Sequence, residues 1–133
     1  MIDQKLVEKA FEALEFSYSP YSNFKVGACV ETFDGRYFFG TNIENASYGA
    51  TVCAERIALF NAYSYGVRKN DIKAIAIVTN GDSEKIAASC GVCRQVLCEL
   101  MNLDTPIYFA NRAHGFEITT RDLVPHPFTS EDL

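Results

Sequence analysis

The sequence predicts an α/β fold in which helices pack on both faces of a five-stranded mixed sheet, giving three layers. Predicted helices and strands follow the order α-β-β-α-β-α-β-β-α along the chain. Residues 72–79 form a nearly continuous apolar run, which is typical of a strand covered on both faces. With 133 residues and neither a repeat nor a linker, the chain is expected to form one domain over residues 1–133.

The first third of the chain predicts one helix followed by a hairpin. Apolar side chains recur at helical spacing over residues 3–15, which indicates a helix with one apolar face. Residues 17–23 include a proline and break this pattern, so a loop is expected before a strand over residues 24–32. Asp34-Gly35 is a two-residue hairpin signal, and the returning strand is expected over residues 36–40.

The middle of the chain predicts two further helices, one on each side of the buried strand. A polar stretch over residues 42–49 is expected to be a loop. Residues 52–65 are expected to form a helix, which Gly66 is suited to end because glycine readily adopts a left-handed conformation. A third helix is expected over residues 90–101.

The end of the chain predicts two short strands and one helical turn. The strands are expected over residues 106–110 and 116–119. Because only a short turn joins them, these last two strands should be antiparallel neighbours. Residues 121–124 predict a last helical turn before a tail that two prolines hold extended.

Charge and composition exclude several classes of protein. The net charge is −5, whereas a protein that binds the nucleic-acid backbone needs a basic surface. No apolar run approaches the roughly 20 residues that span a membrane. The charged N-terminus is followed by no apolar stretch, so no signal peptide is expected. Five cysteines without such a signal indicate a reducing compartment, for which the cytoplasm is the default.

Two distant segments carry the residue types of a catalytic zinc site. Cys53 is followed two residues later by Glu55, and Cys90 and Cys93 form a C-x-x-C motif. Three thiolates can bind one Zn²⁺ and leave a fourth position open, where a nearby carboxylate can move protons for a bound water. Both segments are expected at helix starts, where free N–H groups and a partial positive charge favour thiolates.

Three thiolates and one Zn²⁺ carry a net negative charge, which needs compensation. Arg56 and Arg94 each follow a ligand segment directly, and we expect one or both to donate hydrogen bonds to cysteine sulfurs. The two other cysteines, Cys29 in the first strand and Cys98 in the third helix, are expected to be small buried residues rather than ligands.

A C-x-x-C motif alone has two other common interpretations, a structural zinc half-site and a redox-active dithiol. A structural site needs a fourth protein ligand, and neither His114 nor His126 has ligand spacing. A thioredoxin-like protein carries its C-x-x-C after the first strand of a βαβ unit, whereas here the motif comes late. A non-catalytic, zinc-stabilised interaction module stays open as an alternative, although such a module has no use for Glu55.

The two segments match the pattern of zinc-dependent deaminases, in which His or Cys is followed by x-Glu and later by Pro-Cys-x-x-Cys. Over nearly its whole length the chain resembles the cytidine deaminase family, above all in residues 20–28, 42–49, 53–56 and 90–95. The resemblance implies a cytidine deaminase-like α/β/α fold with one Zn²⁺ per chain. The short length and the cysteine as first ligand resemble the small homotetrameric branch, in which subunits share active sites; the longer dimeric branch uses histidine.

One position departs from the family pattern. The family usually has proline before the C-x-x-C, and this chain has Ser89. Serine is a favourable N-cap, so we expect its hydroxyl to cap the third helix in place of the stiffening that proline gives. Its backbone carbonyl, which the family uses near the base amino group, is unaffected by the change.

The resemblance implies hydrolysis of cytidine or 2′-deoxycytidine to uridine or 2′-deoxyuridine and ammonia, a reaction of pyrimidine salvage. Zinc activates water as hydroxide for attack on C4 of the ring, and Glu55 moves the protons. An alternative within the fold is a deaminase of another cytosine-like compound, such as blasticidin S. A deaminase of free guanine or cytosine fits less well, since such enzymes tend to carry histidine as the first ligand.

Asn42 and Glu44 resemble a ribose clamp, because adjacent amide and carboxylate groups suit hydroxyl donors. An unpaired carboxylate there would also repel a 5′-phosphate and so favour free nucleosides. Without the zinc site, the simpler interpretation would prevail, with Asn42 and Asn45 as turn residues and Glu44 in solvent.

Four further residues are assigned to substrate binding by the resemblance. Phe24 corresponds to a residue that stacks on the pyrimidine, although periodicity alone would place it in the core. Ala54 corresponds to one whose backbone N–H reaches the base carbonyl. Tyr48 and Phe128 resemble residues that enter a neighbouring subunit's site, although Phe128 alone is an apolar tail residue that is able to pack locally.

Overall fold

A computed structural model of the protein describes residues 3–133 and contains the expected three layers. Met1 and Ile2, with which the predicted domain over residues 1–133 begins, lie outside the described residues. The helices are α1 (Gln4–Leu14), α2 (Ala54–Ser64), α3 (Gly91–Leu100) and the short α4 (Thr120–Leu123). The strands are β1 (Val26–Thr32), β2 (Tyr37–Thr41), β3 (Ile72–Thr79), β4 (Pro106–Ala110) and β5 (Gly115–Thr119).

The five strands form one mixed sheet with the order β2-β1-β3-β4-β5. Only β3 and β4 run parallel, and α3 lies in the crossover between them. The final pair, β4 and β5, is antiparallel with Pro106 opposite Thr119 and Ala110 opposite Gly115, as the short connection predicts. The predicted five-stranded mixed sheet is therefore confirmed.

The central strand β3 shows why the sheet is covered on both faces. Its large side chains, Ile75 and Ile77, pack in one cluster with residues of α2 and α3. The alternate positions, Ala74 and Ala76, pack in a second cluster with Leu6 and other residues of α1. Because alternate residues of a strand point to opposite faces, one apolar run supports a helix layer on each side.

The hairpin between β1 and β2 has a three-residue loop, so the predicted two-residue turn is wrong. The Thr32 amide donates to the Arg36 carbonyl at 3.0 Å, which leaves residues 33–35 as the loop. Gly35 has a positive φ of 86°, the left-handed position of a three-residue hairpin loop.

Strand β1 begins at Val26, two residues later than expected. Asn23 is left-handed with φ 57°, and the Lys25 amide donates to the side chain of Asn80 instead of continuing the sheet. Phe24 therefore lies in a loop, where its ring is not held by strand packing.

Helix α2 lies unusually close to the sheet at its start. A Cβ atom on Gly40 of β2 would stand 2.3 Å from the Ala54 carbonyl oxygen and 2.3 Å from the Ala58 amide nitrogen. Only glycine permits this approach, which fixes the first turn of α2 against the sheet. The predicted stop of this helix is confirmed, since Gly66 follows it with φ 88°. None of the helices within residues 3–133 is both long and apolar enough to span a membrane.

Candidate active site

Three cysteine sulfurs come together at the starts of α2 and α3. The Sγ atoms of Cys53 and Cys90 are 3.9 Å apart, and those of Cys90 and Cys93 are 3.5 Å apart. All three lie within 4.8 Å of one another. Tetrahedral zinc with Zn–S bonds of about 2.3 Å places its sulfur ligands about 3.8 Å apart, so this cluster fits one Zn²⁺.

The helix caps explain why these sulfurs converge. Cys53 is the N-cap of α2 and Cys90 is the N-cap of α3, and neither side chain forms a capping hydrogen bond with a backbone amide of its helix. Cys93 is buried in the first turn of α3. Both helices therefore direct their positive ends at the cluster, which favours negatively charged sulfur.

The pKa of the Cys53 thiol is lowered to about 5. A hydrogen bond with Cys93 is the main cause, and Arg56 contributes in the same direction. The pKa of Cys93 is raised by that same hydrogen bond and by burial, so the first thiolate forms on Cys53.

The other two cysteines stay neutral. Burial raises the pKa of Cys29 to about 12, and burial also raises the pKa of Cys98. Both side chains belong to the buried core, away from the sulfur cluster, as the sequence predicts.

The two arginines beside the cluster have different partners. Arg56 donates from Nη2 to the Cys53 sulfur at 3.7 Å, the arrangement expected for charge compensation. One of the two arginines therefore makes the expected bond, whereas Arg94 donates from Nε to the Ser89 carbonyl at 2.8 Å and from Nη1 to the Leu123 carbonyl at 3.0 Å. Arg94 thus fixes the backbone that enters α3, rather than a sulfur.

Glu55 lies in the first turn of α2 and is only 4% exposed. Burial raises the pKa of its carboxyl group, and a hydrogen bond from Ser89 opposes that increase. The Ser89 hydroxyl donates to Oε2 of Glu55 at 2.6 Å. The predicted N-cap role of Ser89 is therefore wrong, since Cys90 is the cap and the serine hydroxyl contacts the carboxylate instead.

A cavity of about 350 Å³ opens beside this group. Cys53, Cys90 and Glu55 line it beside the sulfur cluster, and Ile77 and Thr79 line it from the end of β3. Six predicted site residues share this one cavity: Phe24, Asn42, Glu44, Cys53, Glu55 and Cys90. Cys93 and Ala54 are fully buried next to it.

Several lining residues were missed by the sequence reasoning. Val52, Thr79, Ala87 and Ala88 all line the cavity. Thr79 offered one usable signal, since it ends the predicted buried strand, where clefts of α/β proteins commonly lie. Ser89 does not line the cavity, and its departure from the family pattern signalled the position but not its hydrogen bond with Glu55.

Asn42 is buried and holds the loop that carries Phe24. Its Oδ1 accepts from the Val26 amide at 3.0 Å and also from the Ser17 hydroxyl. Its Nδ2 donates to the Phe24 carbonyl at 2.7 Å. One N–H of the amide group remains for a ligand, because that nitrogen carries two.

Glu44 is fixed by the same loop. Its Oε1 accepts from the backbone amides of Tyr21 at 2.9 Å and Ser22 at 3.2 Å, and its Oε2 accepts from the Ser22 hydroxyl. The hydrogen bond from Ser22 is the main reason that the pKa of Glu44 is lowered, so the side chain is a carboxylate at neutral pH.

Tyr48 and Phe128 do not line this cavity. Tyr48 is 81% exposed and borders a neighbouring cavity of about 420 Å³ that also touches Glu44. Phe128 is 57% exposed, and its backbone carbonyl accepts from Gln95 of α3 at 3.0 Å. Within residues 3–133 of one chain, both rings are therefore free to contact another molecule.

Comparisons with known proteins agree with this geometry. A family described as "Cytidine and deoxycytidylate deaminase zinc-binding region" matches residues 1–109. A cytidine deaminase from Halalkalibacterium halodurans is 49% identical over 98% of this chain and 96% of its own length. One from Sporosarcina psychrophila is 44% identical over 98% and 93%.

Solved structures agree as well. The crystal structure of cytidine deaminase from Burkholderia pseudomallei superposes with a TM-score of 0.90 at 43% identity, covering 96% of this chain and all of that one. The similarity thus extends over both zinc-ligand segments and the whole sheet. The chain belongs to the family of zinc-binding cytidine and deoxycytidylate deaminases.

Proposed function

We propose that the protein hydrolyses free cytidine and 2′-deoxycytidine to uridine and 2′-deoxyuridine, releasing ammonia. One observation carries the proposal: a buried carboxylate, Glu55, lines the same cavity as Cys53 and Cys90 of the three-sulfur cluster. A purely structural zinc site needs no such carboxylate. A redox dithiol would not need the third sulfur, from Cys53, that completes the cluster.

Glu55 is proposed to carry the protons of the reaction. Zinc, when bound by Cys53, Cys90 and Cys93, lowers the pKa of a bound water towards about 7. The Glu55 carboxylate takes one proton from the attacking water and delivers it to ring N3; it then takes the remaining proton from the new C4–OH group and delivers it to the departing amine. A C4–O bond forms, the C4–N bond breaks, and cytidine plus water become uridine plus ammonia.

The base is proposed to bind between Phe24 and the start of α2. Phe24 lines the cavity and is 44% exposed, so its ring face is available for stacking on a pyrimidine. Ala54 is the first residue of α2, where backbone N–H groups have no intrahelical acceptor. That N–H is proposed to donate to the carbonyl oxygen of the base.

The ribose is proposed to bind at Asn42 and Glu44. Asn42 retains one N–H donor, and the Glu44 carboxylate faces the cavity as an acceptor for hydroxyl groups. The family description also covers deoxycytidylate, which carries a 5′-phosphate. The negative charge of Glu44 and the net charge of −5 favour the uncharged nucleoside over that nucleotide.

The active protein is proposed to be a cytoplasmic homotetramer with shared active sites that serves pyrimidine salvage. The exposed rings of Tyr48, which borders the neighbouring cavity, and of Phe128 support contacts between subunits. Light scattering at several protein concentrations should give four chains per particle. A stable monomer with full activity would contradict the shared-site part of the proposal.

The substrate proposal is tested with the purified protein and five compounds: cytidine, 2′-deoxycytidine, cytosine, cytidine 5′-monophosphate and blasticidin S. Ultraviolet absorbance and ammonia release are followed in parallel. Turnover of the two nucleosides alone is the expected result. Turnover of blasticidin S alone would overturn the ribose assignment of Asn42 and Glu44, and absence of any turnover in the zinc-loaded protein would favour the interaction module.

A further inference from the structure

Ser89 connects the two helix starts that carry the zinc ligands. It precedes Cys90, the N-cap of α3, and its hydroxyl donates to Oε2 of Glu55 in the first turn of α2 at 2.6 Å. Both side chains are almost fully buried, Ser89 being 5% exposed. A buried hydrogen bond to a charged oxygen is among the stronger ones in proteins.

We propose that Ser89 is a positioning residue, which fixes the Glu55 carboxylate so that its second oxygen, Oε1, exchanges protons with the substrate. The inference rests on the proposed function and adds a residue to it. Within residues 3–133, no second side chain donates a hydrogen bond to this carboxylate. Without Ser89, rotation of the carboxylate would be opposed only by packing and by the hydrogen bond with the backbone of Glu55 itself.

The serine is itself held in place. Arg94 donates from Nε to the Ser89 carbonyl at 2.8 Å and from Nη1 to the Leu123 carbonyl at 3.0 Å. Arg94 therefore links the backbone of Ser89 to the helical turn α4, which holds the Cα atom that carries the Ser89 side chain in place. Arg94, Ser89 and Glu55 form one continuous chain of hydrogen bonds from the edge of the fold to the proposed proton carrier.

Ser89 does not line the cavity, although Ala88 and Cys90 on either side of it do. Loss of its hydroxyl should therefore leave substrate binding intact and slow only the steps in which protons move. This split between KM and kcat distinguishes positioning from a general structural role, because a distorted cavity would change KM as well.

The test compares the wild type with Ser89→Ala and the matched control Ser89→Thr, which keeps a hydroxyl group. We expect Ser89→Ala to lower kcat for cytidine by about 10-fold or more, with KM within about 2-fold and zinc content unchanged. Ser89→Thr should recover most of the lost kcat. In a Glu55→Gln background, Ser89→Ala should cause no additional loss, since the two residues act as one unit.

A readout independent of turnover is the ¹³C resonance of the Glu55 carboxyl group, assigned by its absence in Glu55→Gln. This resonance should move in Ser89→Ala and return towards its wild-type position in Ser89→Thr. An unmoved resonance, an unchanged kcat, or a loss of kcat that follows zinc content would overturn the inference. If the wild type deaminates none of the compounds, the proposed function fails, while the resonance still decides whether Ser89 holds Glu55.

Discussion

Two groups of residues line the cavity, and different interactions hold each group in place. The helix group, Cys53, Glu55 and Cys90, lies at the starts of α2 and α3, and Gly40 lets α2 pack closely against the sheet. The loop group, Phe24, Asn42 and Glu44, lies on loops whose shape depends on side-chain hydrogen bonds. The helix group is therefore positioned by helix packing together with the hydrogen bond from Ser89 to Glu55, and the loop group by hydrogen bonds of side chains within the loops.

This difference separates two kinds of effect. Substitutions in the helix group should abolish metal binding or turnover, since those residues are proposed to bind zinc or to contact the reacting atoms. Substitutions in the loop group should alter KM, substrate choice and loop stability. A substitution in the loop group that abolishes zinc binding, or one in the helix group that changes only KM, would show that the two groups are energetically coupled.

The largest effect is expected from Cys93→Ala. Two thiolates remain, which is too few for a stable zinc site, so zinc and all measurable deamination should be lost. Metal analysis and ammonia release check this outcome. Cys98→Ala is the matched control, because this cysteine is buried in the same helix but outside the cluster, and it should keep zinc and activity. Full activity in Cys93→Ala would contradict the assignment of Cys93 as a zinc ligand.

Removal of zinc by a chelator should expose some thiols and not others. Cys53 should react first with iodoacetamide, because its pKa of about 5 makes it a thiolate throughout the neutral range. Cys29 should stay unmodified until the pH approaches its pKa of about 12, because the neutral thiol is not the nucleophile. Peptide mass spectrometry at pH 8 measures both, and modification of Cys29 would mean that zinc holds the whole sheet together.

In the loop group, Asn42→Ala should have a larger effect on stability and KM than Glu44→Gln. The change removes buried hydrogen bonds to Val26 and Phe24, so the free energy of unfolding should fall by about 2 kcal/mol and KM for cytidine should rise about 10-fold. Denaturant unfolding and steady-state kinetics measure these quantities. Asn45→Ala changes an exposed asparagine in the same loop and should cost much less in both. Equal effects of the two variants would favour the simpler interpretation of Asn42 as a turn residue.

Glu44→Gln should have the smallest effect on cytidine and the clearest effect on selectivity. The variant keeps the size of the side chain and loses its charge, so KM for cytidine should rise only a few-fold. The preference for cytidine over cytidine 5′-monophosphate should shrink, because the repulsion of the phosphate is removed. An unchanged ratio of the two kcat/KM values would show that another group excludes nucleotides.

Local sequence patterns made the zinc-ligand segments at the starts of α2 and α3 predictable. A spacing of three places Cys90 and Cys93 in one turn, and helix starts are marked by local composition and periodicity. The antiparallel pairing of β4 and β5 was predictable in the same way, because only a short turn joins them.

Long-range contacts account for what the sequence did not predict. Phe24 lies in a loop because the Lys25 amide bonds to Asn80, which is 55 residues away. The contact of Gly40 with α2, and the bond from Ser89 to Glu55 across 34 residues, depend equally on the folded chain. No local propensity encodes such contacts, so periodicity and capping rules could not place them.

The most direct test of the account is kcat for cytidine in the wild type and in Glu55→Gln at equal zinc content. One carboxylate is proposed to serve several proton transfers, so kcat should fall by more than about 10⁴-fold, while zinc binding and the fold are retained. A fall of less than about 10-fold in the zinc-loaded variant would contradict the account, since some other group would then have to move the protons.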